Sequence, residues 1–191
     1  MKKITTILLA SFAVISCKTN QTVIEKAAPI VMEEKTVSEN HEKSAEPVLT
    51  GVKTKADLQT EPYNSWFTTG EEGYKAHPAT ITLLKNAPQN YEITIFMGTW
   101  CSDSKTQVPH FYKILNEIGF DLSKVKLITM DREKSTPEKL EEGFSISNVP
   151  TFIFFKNGKE VHRIVESPVE TLEADMLKII SEQPYKHTYE N

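Results

Sequence analysis

Thiols are scarce in this chain, whose 191 residues hold two cysteines, Cys17 and Cys101. That count excludes a framework of several disulfides and a zinc site built on cysteine pairs. A basic excess is missing as well. The formal net charge is −4, so no face is expected to replace counterions on phosphates, and nucleic acid is set aside as a partner. Glycine numbers only seven, with no phosphate-cradling loop among them. No spacing of Cys, His and carboxylates reads as a metal-ligand set, and no cofactor is implied. Long apolar runs are missing too, since none approaches the roughly 20 residues that a bilayer-spanning helix needs.

What apolar run there is comes first. Lys2 and Lys3 precede an apolar stretch over 4–15 that stops at Ser16-Cys17, which is the layout of a secretory signal over residues 1–16. Val14-Ile15-Ser16-Cys17 also resembles the bacterial lipobox, with Val14 in place of the usual Leu and Ser16 in place of Gly or Ala. The resemblance implies that Cys17 carries a lipid at the mature N-terminus; a plain signal peptide with an incidental cysteine is the alternative. Lipidation would consume the Cys17 sulfur and leave Cys101 as the sole thiol. It would also place the protein in a bacterial cell envelope, held to a membrane by its lipid anchor.

Between residues 18 and 62 there is no Phe, Tyr or Trp, while Glu, Lys, Thr, Ser and three prolines dominate. Such a stretch buries too little apolar surface to offset its ordering entropy, so residues 17–62 are expected to form a tether. A flexible chain of about 45 residues reaches roughly 35–40 Å. Within it, 48–58 is expected to form at most a marginal helix.

Aromatics begin at Tyr63, followed by Trp66, Phe67 and Tyr74, which marks a folded domain over 63–191. Pro78 suits a first helical position, and Ile81 and Leu84 give that helix an apolar stripe. Residues 91–97 and 125–130 read as core strands. Between them Val108, Phe111, Tyr112, Leu115 and Ile118 recur at helical spacing before Gly119. A short helix over 137–142 and a strand over 151–155 follow. Lys156-Asn157-Gly158-Lys159 then turns the chain into a hairpin with 160–165. A last helix over 171–180 turns Leu172, Met176, Leu177 and Ile180 inward. This order predicts an α/β domain with a central mixed β-sheet flanked by helices.

The stretch Trp100-Cys101-Ser102-Asp103-Ser104-Lys105 follows the apolar run Ile93-Thr94-Ile95-Phe96-Met97 and sets one cysteine at a strand-to-helix turn. Backbone N–H groups and the dipole at a helix start favour thiolate over thiol. Across residues 74–180 the chain resembles the thioredoxin superfamily. The stretch beginning at Trp100 stands where that family has Trp-Cys-x-x-Cys-Lys; Pro109 matches the proline that kinks the family's active-site helix, and Asp131 matches a common position after a strand. Val149-Pro150-Thr151, with Phe152 to Gly158 behind it, copies the cis-proline loop and hairpin. The resemblance implies a thioredoxin-like fold, Cys101 as nucleophile, a cis bond at Pro150, and the Val149 backbone as the edge on which an extended substrate pairs.

Three departures bear on chemistry. Ser104 replaces the resolving cysteine, Ile95 stands where many thioredoxins keep a buried acid, and Glu166-Ser167-Pro168 lacks the glycine usual beyond the hairpin. A serine cannot displace a mixed disulfide, so exchange at Cys101 needs an external resolving thiol. Monothiol exchange or isomerisation on protein or small-thiol disulfides, removal of a small-thiol adduct, and one-cysteine peroxide sensing all remain open. Ser104 is placed to donate to the Cys101 sulfur, Asp103 to oppose the thiolate and Lys105 to offset Asp103. His110 lies about two helical turns from Cys101, too far for a base, and His41, His77, His162 and His187 carry no motif. Trp100 and Phe67 are candidates to line a peptide groove, with a core role as the alternative. From another functional class, a thioredoxin-like module that binds peptides at Pro150 without covalent chemistry fits the same residues.

Overall fold

Short, mostly apolar runs make the three central strands, and apolar residues returning every third or fourth position make the longer helices. The computed structural model describes residues 46–190. The expected signal over 1–16, the expected lipidation site Cys17 and most of the expected tether lie outside the described residues.

Five strands form one sheet in the order β1 (Gly51–Lys53), β3 (Val125–Thr129), β2 (Glu92–Met97), β4 (Thr151–Lys156) and β5 (Lys159–Val165). Strand β2 runs parallel to β3 and antiparallel to β4, and the β4–β5 hairpin closes one edge. The sheet is therefore mixed, as the order of elements predicts. Alternate side chains serve its two faces. Ile93, Ile95, Met97, Leu127, Phe152 and Phe154 join the main core under the helices. Phe96, Ile128, Met130, Val149 and Ile153 form a smaller cluster on which Trp100, Cys101 and the loop residues Leu140, Phe144 and Ile146 pack.

Among the described residues five α-helices flank the sheet: α1 (Lys55–Leu58), α2 (Asn64–Gly73), α3 (Pro78–Asn86), α4 (Ser102–Ile118) and α5 (Leu172–Ile180). The five α4 residues predicted to face inward are all buried, together with Ile114. Gly119 ends α4 in the left-handed region at φ 70°, where a glycine carries no Cβ penalty. Pro109 lies inside α4 and packs on Gly70 of α2 so closely that a Cβ on Gly70 would lie 2.8 Å from its Cγ.

Three expectations need correction. The folded part begins before Tyr63: β1 pairs with β3 through Gly51 and Thr129, and Leu58 is fully buried. Three residues that include a glycine are too short a pattern to read as a strand. Residues 137–142 form turns instead of a helix, because Thr136 Oγ1 accepts from Leu140 N and donates to Glu141 Oε2, while Lys139 sits at φ 54°. On α5, Ile179 faces the core and Leu177 is only partly buried.

Candidate functional site

The site is built where β2 hands over to α4. Cys101 is the N-cap residue of α4, with extended backbone at φ −92° and ψ 127°, and its carbonyl accepts the first helical bond from Lys105 N at 3.0 Å. Its sulfur is half-buried and donates to the carbonyl oxygen of Val149 at 3.2 Å. The Val149–Pro150 peptide bond is cis. Residues nearly fifty positions apart are thus brought together, as the resemblance implies. Cys101 is a free cysteine, and it is the only one among the described residues.

Ser104 is fully buried, and its hydroxyl accepts from Gly98 N at 3.2 Å. Among the described residues no hydrogen bond joins it to the Cys101 sulfur, and the bond it accepts goes to the turn before the cysteine. Trp100 is held from three sides. Its Nε1 donates to Met130 O at 2.9 Å, the Arg132 guanidinium lies 5.5 Å from its ring, and Gly98 sits beneath. A Cβ at Gly98 would stand 2.5 Å from the indole. Phe67 belongs to the core, edge-on to Tyr112, and lines no groove.

The charges near the motif are organised by residues that sequence reasoning passed over. Lys105 pairs with Glu46 and lies 5.5 Å from the Trp66 ring, while Trp66 Nε1 donates to the other Glu46 oxygen at 2.8 Å. Thr99 accepts from Leu49 N at 3.2 Å, and Pro47 O accepts from Tyr63 OH at 3.0 Å. Residues 46–49 therefore dock on both sides of Trp100 and Cys101. Beyond β3, Asp131 accepts from Ser135 N and Ser135 Oγ, both at 2.8 Å, which holds its carboxyl below the usual range and shapes the turn carrying Arg132. His110 stacks on Tyr74 with 4.3 Å between ring centres, and burial pushes its pKa down. Among the described residues no group of three His, Cys, Asp or Glu side chains gathers as a metal site.

Residues 82–178 match the family model described as Thioredoxin, which is just over half of the chain. The chain belongs to the thioredoxin family. A thioredoxin of Mycobacterium bovis is 33% identical over 87 residues, covering 46% of this chain and 68% of that one. Thioredoxin Y, chloroplastic, of Oryza sativa subsp. japonica is 35% identical over 68 residues, with 36% and 38% covered. A thioredoxin of Chlamydia trachomatis is 36% identical over 70 residues, with 37% and 63% covered. This chain thus spans less than two thirds of the last two relatives. Among solved structures, an HIV epitope-scaffold matches 70% of this chain and 94% of its own at TM-score 0.54 and 12% identity, a likeness of fold.

Against the thioredoxin pattern, the three departures fall at separate places. Ile95 is fully buried in the main core. Ser104 braces the turn before the cysteine. Glu166 adopts φ 62°, a region that non-glycine residues rarely enter, and its N–H donates to Pro150 O at 2.7 Å. Its carboxylate accepts from Asn148 Nδ2 at 3.3 Å and from the Tyr189 hydroxyl. The signal for Glu166 was present in the sequence as a missing glycine; Asn148 and Tyr189 carried none.

Proposed function

We propose that this thioredoxin-family protein performs monothiol thiol–disulfide exchange at Cys101. Carrying this reading is the half-exposed Cys101 sulfur at the start of α4, 3.2 Å from Val149 O, with a buried serine at the resolving position. The Cys101 thiolate attacks one sulfur of a protein or small-molecule disulfide; that S–S bond breaks, a mixed disulfide forms, and the other sulfur leaves as a thiol. An external thiol then attacks the mixed disulfide, restores Cys101 and supplies the reducing equivalents. Val149 and Pro150 offer backbone to an extended substrate, and Trp100 flanks the sulfur. The export signal over 1–16 and a lipid on Cys17 complete the proposal, placing the domain at a membrane of the cell envelope.

The test uses a peptide disulfide with no added reductant. Wild type is expected to accumulate a mixed disulfide that a small thiol releases, and Cys101→Ser to form none. Tight peptide binding by wild type without any adduct would leave the non-covalent binding module instead. Incorporation of labelled fatty acid, lost in Cys17→Ser, checks the anchor.

A further inference from the structure

The loop that touches the Cys101 sulfur carries an acidic group pinned to it from both sides. Val149 O accepts from the sulfur; the residue after it, Pro150, accepts from Glu166 N; the residue before it, Asn148, donates its side-chain amide to the Glu166 carboxylate. A hydroxyl from the last described turn, that of Tyr189, donates to the same carboxylate. Glu166 keeps this place at φ 62°, where a residue with a Cβ is disfavoured. Lys134, Lys139, Ser145, Asn157 and Glu182 share that backbone region, but Glu166 alone among them bonds to the loop facing the sulfur. The opposite charge, Arg132, lies over the ring of Trp100, the residue before Cys101.

We infer that Glu166 is a specificity-determining residue of the Cys101 site, favouring disulfides flanked by cationic groups over disulfides flanked by carboxylates. The inference rests on the exchange reaction proposed above and names its substrate class. A carboxylate bonded to Asn148, the residue before the carbonyl that meets the sulfur, acts on charge brought in by the substrate. Asn148 and Tyr189 hold it there, because both donate to it and neither carries a charge that would cancel it. Exchange itself is unchanged: Cys101 thiolate displaces one half of the disulfide as a thiol and keeps the other half as a mixed disulfide. Only the electrostatic work of bringing the disulfide to the sulfur differs.

Cystamine and dithiodipropionate are disulfides of similar length that end in ammonium and carboxylate groups, respectively. Mixed-disulfide formation with each is followed by mass in low salt, and the ratio of the two rates is read. Both reagents meet the same thiolate, so a change in its reactivity cancels in the ratio. In Glu166→Gln, whose amide keeps an oxygen for Asn148 or Tyr189, the cystamine preference is expected to fall by about twofold to fivefold, and raised salt is expected to erode it in wild type. Arg132→Gln removes the opposite charge and is expected to move the ratio the other way. A ratio that Glu166→Gln leaves unmoved, or that both variants shift alike, overturns the inference while the exchange reading stands. No adduct with either reagent overturns the exchange reading and this inference with it.

Discussion

Two small residues decide how the thiol turn is held. Ser104 is fully buried and accepts from Gly98 N, so Ser104→Ala strands a buried N–H and is expected to cost about 1–3 kcal/mol in urea unfolding. A cost near zero would mean that water or another group takes over the bond. Gly98 lies under the Trp100 ring, and a methyl there meets the indole at 2.5 Å. Gly98→Ala is expected to push Trp100 off Met130 O, changing its fluorescence and lowering stability by about 1–3 kcal/mol. Cys101 was legible at this scale because its neighbours form a motif. Ser104 was half legible: its position could be read, but the partner of its hydroxyl depends on how the chain turns at Gly98.

At the scale of elements, strands and helices with long patterns were readable and segments fixed by single side-chain hydrogen bonds were not. The run from Ile93 to Met97 and the spacing from Val108 to Ile118 carry their own periodicity. The segment 137–142 has helical composition, yet the Thr136 hydroxyl and the Glu141 carboxylate fold it into turns. A long-range side-chain bond ties α5 to the end of α2. Glu173, buried at the start of α5, accepts from Tyr74 OH at 2.6 Å and His77 N at 3.0 Å. Burial alone would push its carboxyl up, but those two donors hold it below its ordinary value of 4.5. A depressed native value means stability that is present above that ordinary value and lost as pH falls through the native one. Glu173→Gln is therefore expected to flatten the acid limb of a stability-versus-pH curve; an unchanged limb would mean that the pair contributes nothing.

For the whole molecule, the main surprise is how early the fold begins. Composition marked residues before Tyr63 as tether, since they lack aromatics, but Gly51, Val52 and Lys53 close one sheet edge against Thr129, Ile128 and Leu127. Leu58 completes the main core. A chain starting at Tyr63 is therefore expected to melt well below one starting before Glu46, or to fail to fold, as read by circular dichroism. Equal melting temperatures would show that β1 is dispensable. The mixed sheet followed from the order of elements and the pairing of Cys101 with Val149 from the family resemblance, whereas no pattern pointed to the docking of 46–49, which is made by single hydrogen bonds and one ion pair.

That docking has a mechanical side. A pull on the chain at Glu46 would load Lys105 and Trp66 first, then Tyr63 and Thr99 through Pro47 and Leu49, and only afterwards the first rung of β1 at Gly51. Thr99 and Lys105 stand on either side of Trp100 and Cys101, so tension on that end reaches the thiol turn before it opens any strand.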